Sequence, residues 1–277
     1  MIRLFVTDLD GCLSHPFRAP DWEPLVALTR LHARSADDVH VPPLTICTGR
    51  PLSYAAAVAQ WLAVTTPILI ESGSGMYDPV ANRLSWAPTI SARAEAALDR
   101  LRPRIHRELV PRFPGTLPEL DKQRDVGLNN PDPSVIAELL EIITGMVRDL
   151  DAEPGNAELE VHHTAISVNV IPRAANKGAG LRWLGEHLGI TLSEMAYIGD
   201  SGGDISALER AGMAFAPANA VDEVKAIATV TRGEATAGVL EAYQAVIAEN
   251  ESRRRRAGQP AGHPESPPLP NGHLPHA

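Results

Sequence analysis

Cysteine is scarce: the 277 residues hold two, Cys12 and Cys47. Two thiols build neither a disulfide framework nor a four-thiolate zinc site. The expectation is a pair of buried thiols rather than a redox couple. Long apolar runs are also missing, so no segment reads as a membrane span. Basic charge does not predominate: 25 Lys and Arg stand against 34 Asp and Glu, a net charge of -9. That balance argues against a nucleic-acid backbone as partner. It still admits an anionic metabolite, because local cations or a bound metal reverse the local sign. No charged segment or cleavable apolar stretch stands ahead of the first strand-like run, and a cytoplasmic protein is expected. Aromatics are few, and no internal repeat is visible.

What is present is a rhythm. Residues 2–7 read as a buried strand, 21–35 as a helix, 41–51 as a strand closing in a Gly-Arg-Pro turn, 52–63 as an alanine-rich helix, and 67–75 as a third strand. Apolar strands that do not alternate point to a parallel sheet covered on both faces. The pattern then changes. Helices are expected at 90–109, bent or broken by Pro103, and at 134–149, with short strands at 117–129 and alternating ones at 159–172. Residues 177–189 (helix), 195–200 (strand), 203–211 (helix), 213–220 (strand), 221–228 and 237–249 (helices) resume the first rhythm. The fold class is therefore α/β: a Rossmann-like core with a parallel sheet, in parts 1–84 and 174–248, interrupted by an inserted α+β unit at 85–173. Residues 249–277 carry four arginines and then Pro, Gly and His. They are expected to be a disordered tail, solvated or serving as an anion-binding arm.

Ligands of parallel sheets collect outside the carboxyl ends of the strands. Asp8 and Asp10 follow the first strand, Thr48, Gly49 and Arg50 the second, and Asp200 and Asp204 the strand at 195–200, with Lys177 opening the preceding helix. Acids gathered at one mouth repel unless a cation lies among them. Oxygen donors without thiolate or histidine suit magnesium. Asp8, Asp10, Asp200 and Asp204 are the candidate ligands. Lys177, Thr48 and backbone N–H groups then suit an anion's oxygens. A metal, a nucleophilic carboxylate and a lysine together describe phosphoryl transfer. The i, i+2 spacing of Asp8 and Asp10 is expected to put both side chains on one side of the strand end.

"DLDGCL", "ICTGRP", "NKGAGL" and "GDSGGDISAL", in this order, resemble the four motifs of the haloacid dehalogenase-like (HAD) phosphohydrolases, over the chain to about residue 248. The insertion resembles the C2B-type cap of the Cof-like and sugar-phosphate phosphatase branches. "ELDKQRDVGLNN" resembles the cap strand that lies near substrate there, which makes Lys122 a candidate substrate contact. The resemblance implies that Asp8 attacks phosphorus and that Asp10 shuttles the proton. It implies that Thr48 donates to a phosphoryl oxygen and that Lys177 neutralises the transferring group. Asp200 would bind magnesium with Asp8 and the Asp10 carbonyl, and Asp204 would hold a metal-bound water or Lys177. The family's last motif often carries Asn where this chain has Gly203; Ser201 or Ser206 could take over that place.

The function so implied is magnesium-dependent hydrolysis of a small phosphorylated metabolite, a sugar phosphate or a phosphorylated small acid, through an aspartyl phosphate. A phosphomutase resembling the phosphomannomutases and a non-catalytic metabolite sensor are the alternatives. Arg50 reads equally as a substrate contact or a surface ion pair. His162 and His163 are adjacent on a strand and point to opposite faces, so they do not share a metal. "ESGSGM" is neither a Walker loop nor a serine-hydrolase elbow. The substrate's identity and the oligomeric state stay open.

Overall fold

Every side chain of LFVT is buried, which a strand in mid-sheet with both faces covered requires. This computed structural model describes residues 1–152 and 158–258. LFVT forms β1 (Leu4–Thr7), followed by α1 (Trp22–Ala33), capped by the Asp21 carboxylate, β2 (Leu44–Ile46), α2 (Leu52–Trp61) and β3 (Ile68–Ile70).

The single strand expected over 67–75 is broken by Glu71 and Ser72, whose φ values of 46° and 59° turn the chain back on itself. It returns as an antiparallel hairpin, β4 (Gly75–Asp78) and β5 (Arg83–Trp86), which the sequence reading missed. β3 therefore belongs to a separate three-stranded sheet. A parallel bridge, Cys47 to Leu69, with the Thr48 N–H on the Leu69 carbonyl at 3.0 Å, links it to the chain just past β2.

The next elements are α3 (Ala92–Glu108), β6 (Leu117–Pro118), β7 (Val126–Asn129), α4 (Pro133–Ala152), β8 (Leu159–His163) and β9 (Ser167–Pro172). Pro103 neither ends nor splits α3; the helix is held by its apolar stripe, Ala94, Ala97, Leu98, Leu101 and Ile105, all buried. The four strands form their own antiparallel sheet, β6-β7-β9-β8. Val126, Leu128, Leu159, Val168 and Val170 pack with the two helices in a hydrophobic cluster separate from those around β1. The opposite face of this sheet is polar, carrying Asn129, Ser167, Asn169, Glu160 and His162. The two crossings between the units lie side by side, with Thr89 Oγ1 donating to the Ala174 carbonyl at 3.2 Å.

The chain closes with α5 (Lys177–Leu188), capped by Asn176, β10 (Met195–Ile198), α6 (Ile205–Leu208), β11 (Met213–Ala216), α7 (Asp222–Lys225), β12 (Thr229–Val230) and α8 (Ala235–Gly258). The main sheet is parallel throughout, in the order β12-β11-β10-β1-β2. The chain builds outward to β2 on one side of β1 and through β10 on the other. The switch point of the topology is thus the β1–β10 pair, where a crevice opens above the strand ends.

The helix expected to stop at 249 continues to Gly258, through all four arginines. Asn250 explains this. It is fully buried, its Oδ1 accepts from Ile2 N at 2.8 Å, and its Nδ2 donates to the Ile2 and His40 carbonyls at 2.9 and 3.0 Å. Beyond it, Glu249–Arg253 is an i, i+4 ion pair at 2.7 Å. The tail expected to be disordered thus begins helical, over 249–258, and its remainder, 259–277, lies outside the described residues. Asn250→Ala strands buried groups of Ile2 and costs roughly 2 kcal/mol. A lowered urea midpoint checks this, and an unchanged midpoint refutes the role given to Asn250. Among the described residues no helix is long and apolar enough to cross a membrane.

Candidate active site

The carboxyl ends of β1 and β10 and the first residue of α5 bring together side chains that are distant in sequence. Asp8 follows β1 and is buried; its Oδ1 accepts the Leu9 N–H at 2.7 Å and its Oδ2 lies 2.8 Å from Lys177 Nζ. The same ammonium lies 2.7 Å from Asp204 Oδ1. Asp8, Asp200 and Asp204 each place one carboxylate oxygen within 4.8 Å of the others. Gly11 makes this approach feasible: its φ of 76° is left-handed, and a Cβ there would lie 2.0 Å from Asp200 Oδ2.

The three acids are not equivalent. Asp204 has both oxygens engaged: Oδ1 by Lys177 and by the Tyr197 hydroxyl at 2.6 Å, Oδ2 by the N–H groups of Asp200 and Ser201 and by the Ser201 hydroxyl. Burial pushes its acidity down, but the lysine and these donors outweigh it, and its pKa lies below the usual carboxylate range. Its place is that of a fixed counter-charge to Lys177. Asp8 and Asp200 lack enough compensation. Burial raises Asp8 to about 7 against the pull of Lys177, and burial with the neighbouring Asp204 and Asp8 raises Asp200 to about 8. Two under-compensated carboxylates facing one another, with oxygen donors only, fit a hard cation.

Asp10 does not join this cluster. β1 ends at Thr7 and Gly11 turns the chain, so strand alternation no longer applies. The Asp10 carboxylate is instead held bidentately by Arg50, at 2.6 and 2.9 Å. The Arg50 guanidinium stands over the Phe17 and Tyr54 rings, and its Nη1 lies 3.5 Å from Glu119 Oε1 of the second unit. Of the two readings of Arg50, the structure shows an ion pair, largely buried rather than on the surface, that links Asp10 to the other unit. Thr48 is buried at the end of β2, its Oγ1 accepting from Arg50 N at 3.1 Å, which leaves its proton to donate. Gly49 lies beside it, half-buried.

Lys122 is placed differently from a free substrate ligand. Its ammonium is buried and meets Glu119 Oε2 at 2.7 Å, Asp125 Oδ2 at 2.9 Å and Asn169 Oδ1 at 2.7 Å. These partners use all three of its protons. A chain of charges thus runs Lys122–Glu119–Arg50–Asp10 across the boundary between the units. Glu71, read from sequence as part of a simple glycine turn, is a second tie: its buried carboxylate accepts the Gln123 and Arg124 N–H groups. Nothing in "ESGSGM" signalled this, because the partner is backbone. Cys12 and Cys47 are buried with their thiols pushed up by burial, Cys47 to about 12, so neither is a ready thiolate.

A family model described as haloacid dehalogenase-like hydrolase matches residues 135–242. A phosphoglycolate phosphatase of Methanopyrus kandleri is 28% identical over 230 residues, 83% of this chain and 90% of that protein. One of Methanococcoides burtonii is 25% identical over 248 residues, 88% and 96% of the two. Among solved structures, a haloacid dehalogenase-like hydrolase from Bacteroides thetaiotaomicron superposes with a TM-score of 0.65 at 18% identity, covering 89% of this chain and 100% of that one. Together these likenesses support membership of the haloacid dehalogenase-like superfamily. The sucrose-phosphatase of Synechocystis sp. PCC6803, solved with sucrose and phosphate, shares the fold at a TM-score of 0.64 and 20% identity, covering 89% and 98%. In this HAD-like chain the matched segment takes in Lys177, Asp200 and Asp204; Asp8, Asp10 and Thr48 precede it.

Proposed function

We propose that the chain is a magnesium-dependent phosphatase of a small phosphorylated metabolite, working through an aspartyl phosphate at Asp8. The observation that carries the reading is Lys177 seated between Asp8 and Asp204, with Asp200 facing Asp8, at the switch point of the sheet. An Asp8 oxygen attacks phosphorus while the bond from phosphorus to the ester oxygen breaks, and Asp10 delivers a proton to the departing alkoxide. Asp10, now a carboxylate, takes a proton from water as that water attacks the phosphoenzyme. Inorganic phosphate leaves and Asp8 is restored. Lys177 offsets charge on the phosphoryl oxygens, and Thr48 and the Gly49 backbone are placed to hold them. Magnesium, held by Asp8, Asp200 and the Asp10 backbone, would supply the remaining positive charge, with Asp204 acting through Lys177 and Ser201. Asp10 must part from Arg50 to act, so the charged chain from Lys122 couples proton transfer to the seating of the second unit as a C2B-type cap over the site.

The relatives' name, phosphoglycolate phosphatase, favours a phosphorylated small acid as substrate. A sugar phosphate is the second class, which the likeness to the sucrose-phosphatase supports. Either keeps the enzyme among cytoplasmic metabolites. A phosphate-release screen over phosphoglycolate, phosphoglycerates, sugar phosphates and nucleotides, with and without magnesium, tests the reading. Release without net isomerisation supports it. Isomerisation without release identifies a phosphomutase, and binding without either identifies a sensor.

The raised acids make a second test. The folded chain keeps protons on Asp8 and Asp200 up to about 7 and 8, whereas the unfolded chain releases them near 3.8. The folded state binds more protons across that window, so their contribution to stability is greatest below about pH 4 and is lost as pH rises through 7 to 8. Magnesium replaces those protons, so the rise in melting temperature on adding it is larger near pH 8 than near pH 5. A magnesium effect independent of pH would place the ion elsewhere.

A further inference from the structure

We infer that Gly203 and His162 frame a slot between the two units that receives the polar substituent of the phosphoester's organic part; the inference rests on the phosphatase reading above. Gly203 is not a glycine of necessity. Its φ lies outside the left-handed region, unlike that of Gly11. A Cβ built on it meets only His162 Nδ1 at 3.7 Å and Ser201 Oγ at 3.9 Å, both ordinary contacts, and one on Gly202 meets nothing within 4 Å. The turn bearing Ser201 and Asp204 therefore faces open space at Gly202 and, between Gly203 and His162, a gap that one methyl group fills, beside the acidic cluster. An imidazole nitrogen from the other unit stands on its far side.

That nitrogen is held in place. His162 Nε2 lies 2.9 Å from Glu160 Oε1, two residues away on the same face of β8, which fixes the ring and turns Nδ1 to the slot. The strand register sets Gly127, Asn169 and His162 in one row across the sheet. Directly opposed residues share a face, and this polar face is the one from which Glu119 reaches Arg50. One end of the row thus meets Asp10 through Arg50, and the other meets the turn of Asp204 through His162. A phosphoester whose phosphorus sits at Asp8 extends its organic part between them. With Nε2–H donating to Glu160 and the Ser201 hydroxyl donating to Asp204, His162 Nδ1 and Ser201 Oγ are left as acceptors placed for a hydroxyl substituent, and a carboxylate is bound there only by a ring that carries a proton on Nδ1 as well. His162 is a positioning residue: it binds the organic part and takes no part in bond breaking.

The test measures kcat and KM of magnesium-dependent phosphate release for phosphoglycolate, glycerol phosphate and phenyl phosphate, which carry a carboxylate, hydroxyls and neither. In His162→Ala, KM for the matching polar ester rises about ten-fold relative to that for phenyl phosphate, the loss of one hydrogen bond, while kcat changes less. Gly203→Ala fills the slot from the other side without backbone strain and raises the same ratio. The two changes together do no more than the larger alone, because they remove one contact. His162→Gln retains part of the affinity. Which polar ester responds separates carboxylate from hydroxyl recognition. A KM ratio unchanged in both variants, independent multiplication of their effects, or a loss that merely follows a fall in melting temperature overturns the inference. Turnover of no ester by the wild-type chain instead contradicts the phosphatase reading beneath it.

Discussion

Asp8→Asn abolishes phosphate release, by more than about 10⁴-fold, the scale on which loss of a covalent nucleophile is felt. The amide is nearly isosteric and can still accept the Leu9 N–H, so the fold survives. It removes a buried carboxyl whose charge the folded state tolerates poorly, since burial already raises Asp8 to about 7. Without magnesium, near pH 8, the variant is therefore at least as stable as the wild type while inactive. That pairing separates a nucleophile from a structural acid. Steady-state release assays and thermal melts at one pH check it, and full metal-dependent turnover by the variant contradicts the assignment.

Lys177→Met has the opposite signature. The ammonium is nearly inaccessible and pairs with two acids at 2.8 and 2.7 Å. Taking it away leaves Asp8 with the Leu9 N–H as its neutral donor and leaves Asp204 to Tyr197 and the Ser201 turn. Breaking a buried pair on one side costs about 3 kcal/mol. Loss of the charge opposite the transferring phosphoryl costs on the order of 10³-fold in kcat. Stability and activity fall together here, and added magnesium restores part of the stability only. Urea unfolding with and without magnesium, beside the release assay, reads both. A Lys177→Met protein with wild-type stability would mean that the three acids are already neutralised by other means.

The core was legible because parallel strands are marked by apolar runs and their carboxyl ends by polar residues. LFVT, LTI and MAYI and the polar residues after them needed only the strand-end rule. Asp8, Thr48, Asp200 and Asp204 were found in that way and Lys177 as the opening residue of a helix, and the structure brings the lysine and three of the acids together. What escaped depends on contacts with no local signature. The β4–β5 hairpin follows from two left-handed residues, Glu71 and Ser72, neither a glycine. Asp10 leaves the strand line because Gly11 turns the chain, and only the fold shows that Arg50 is its partner. Lys122 read as a free cation because its acceptors Glu119, Asp125 and Asn169 are near in space through a sheet, not a motif. Asn250 lies inside a helix that the sequence pattern stops at 249, because its buried amide pairs with the main chain of Ile2 and His40.

The central claim is that Asp8 receives the phosphoryl group, with Asp200 and a divalent ion beside it and Lys177 opposite. Crystals grown with magnesium and beryllium fluoride, a mimic of the phosphorylated carboxylate, test it most directly. The account predicts a fluoroberyllate bound to the Asp8 carboxylate, the metal on Asp8 and Asp200, and Lys177 Nζ against the fluorines. An adduct on any other side chain, or magnesium bound away from Asp200, contradicts it.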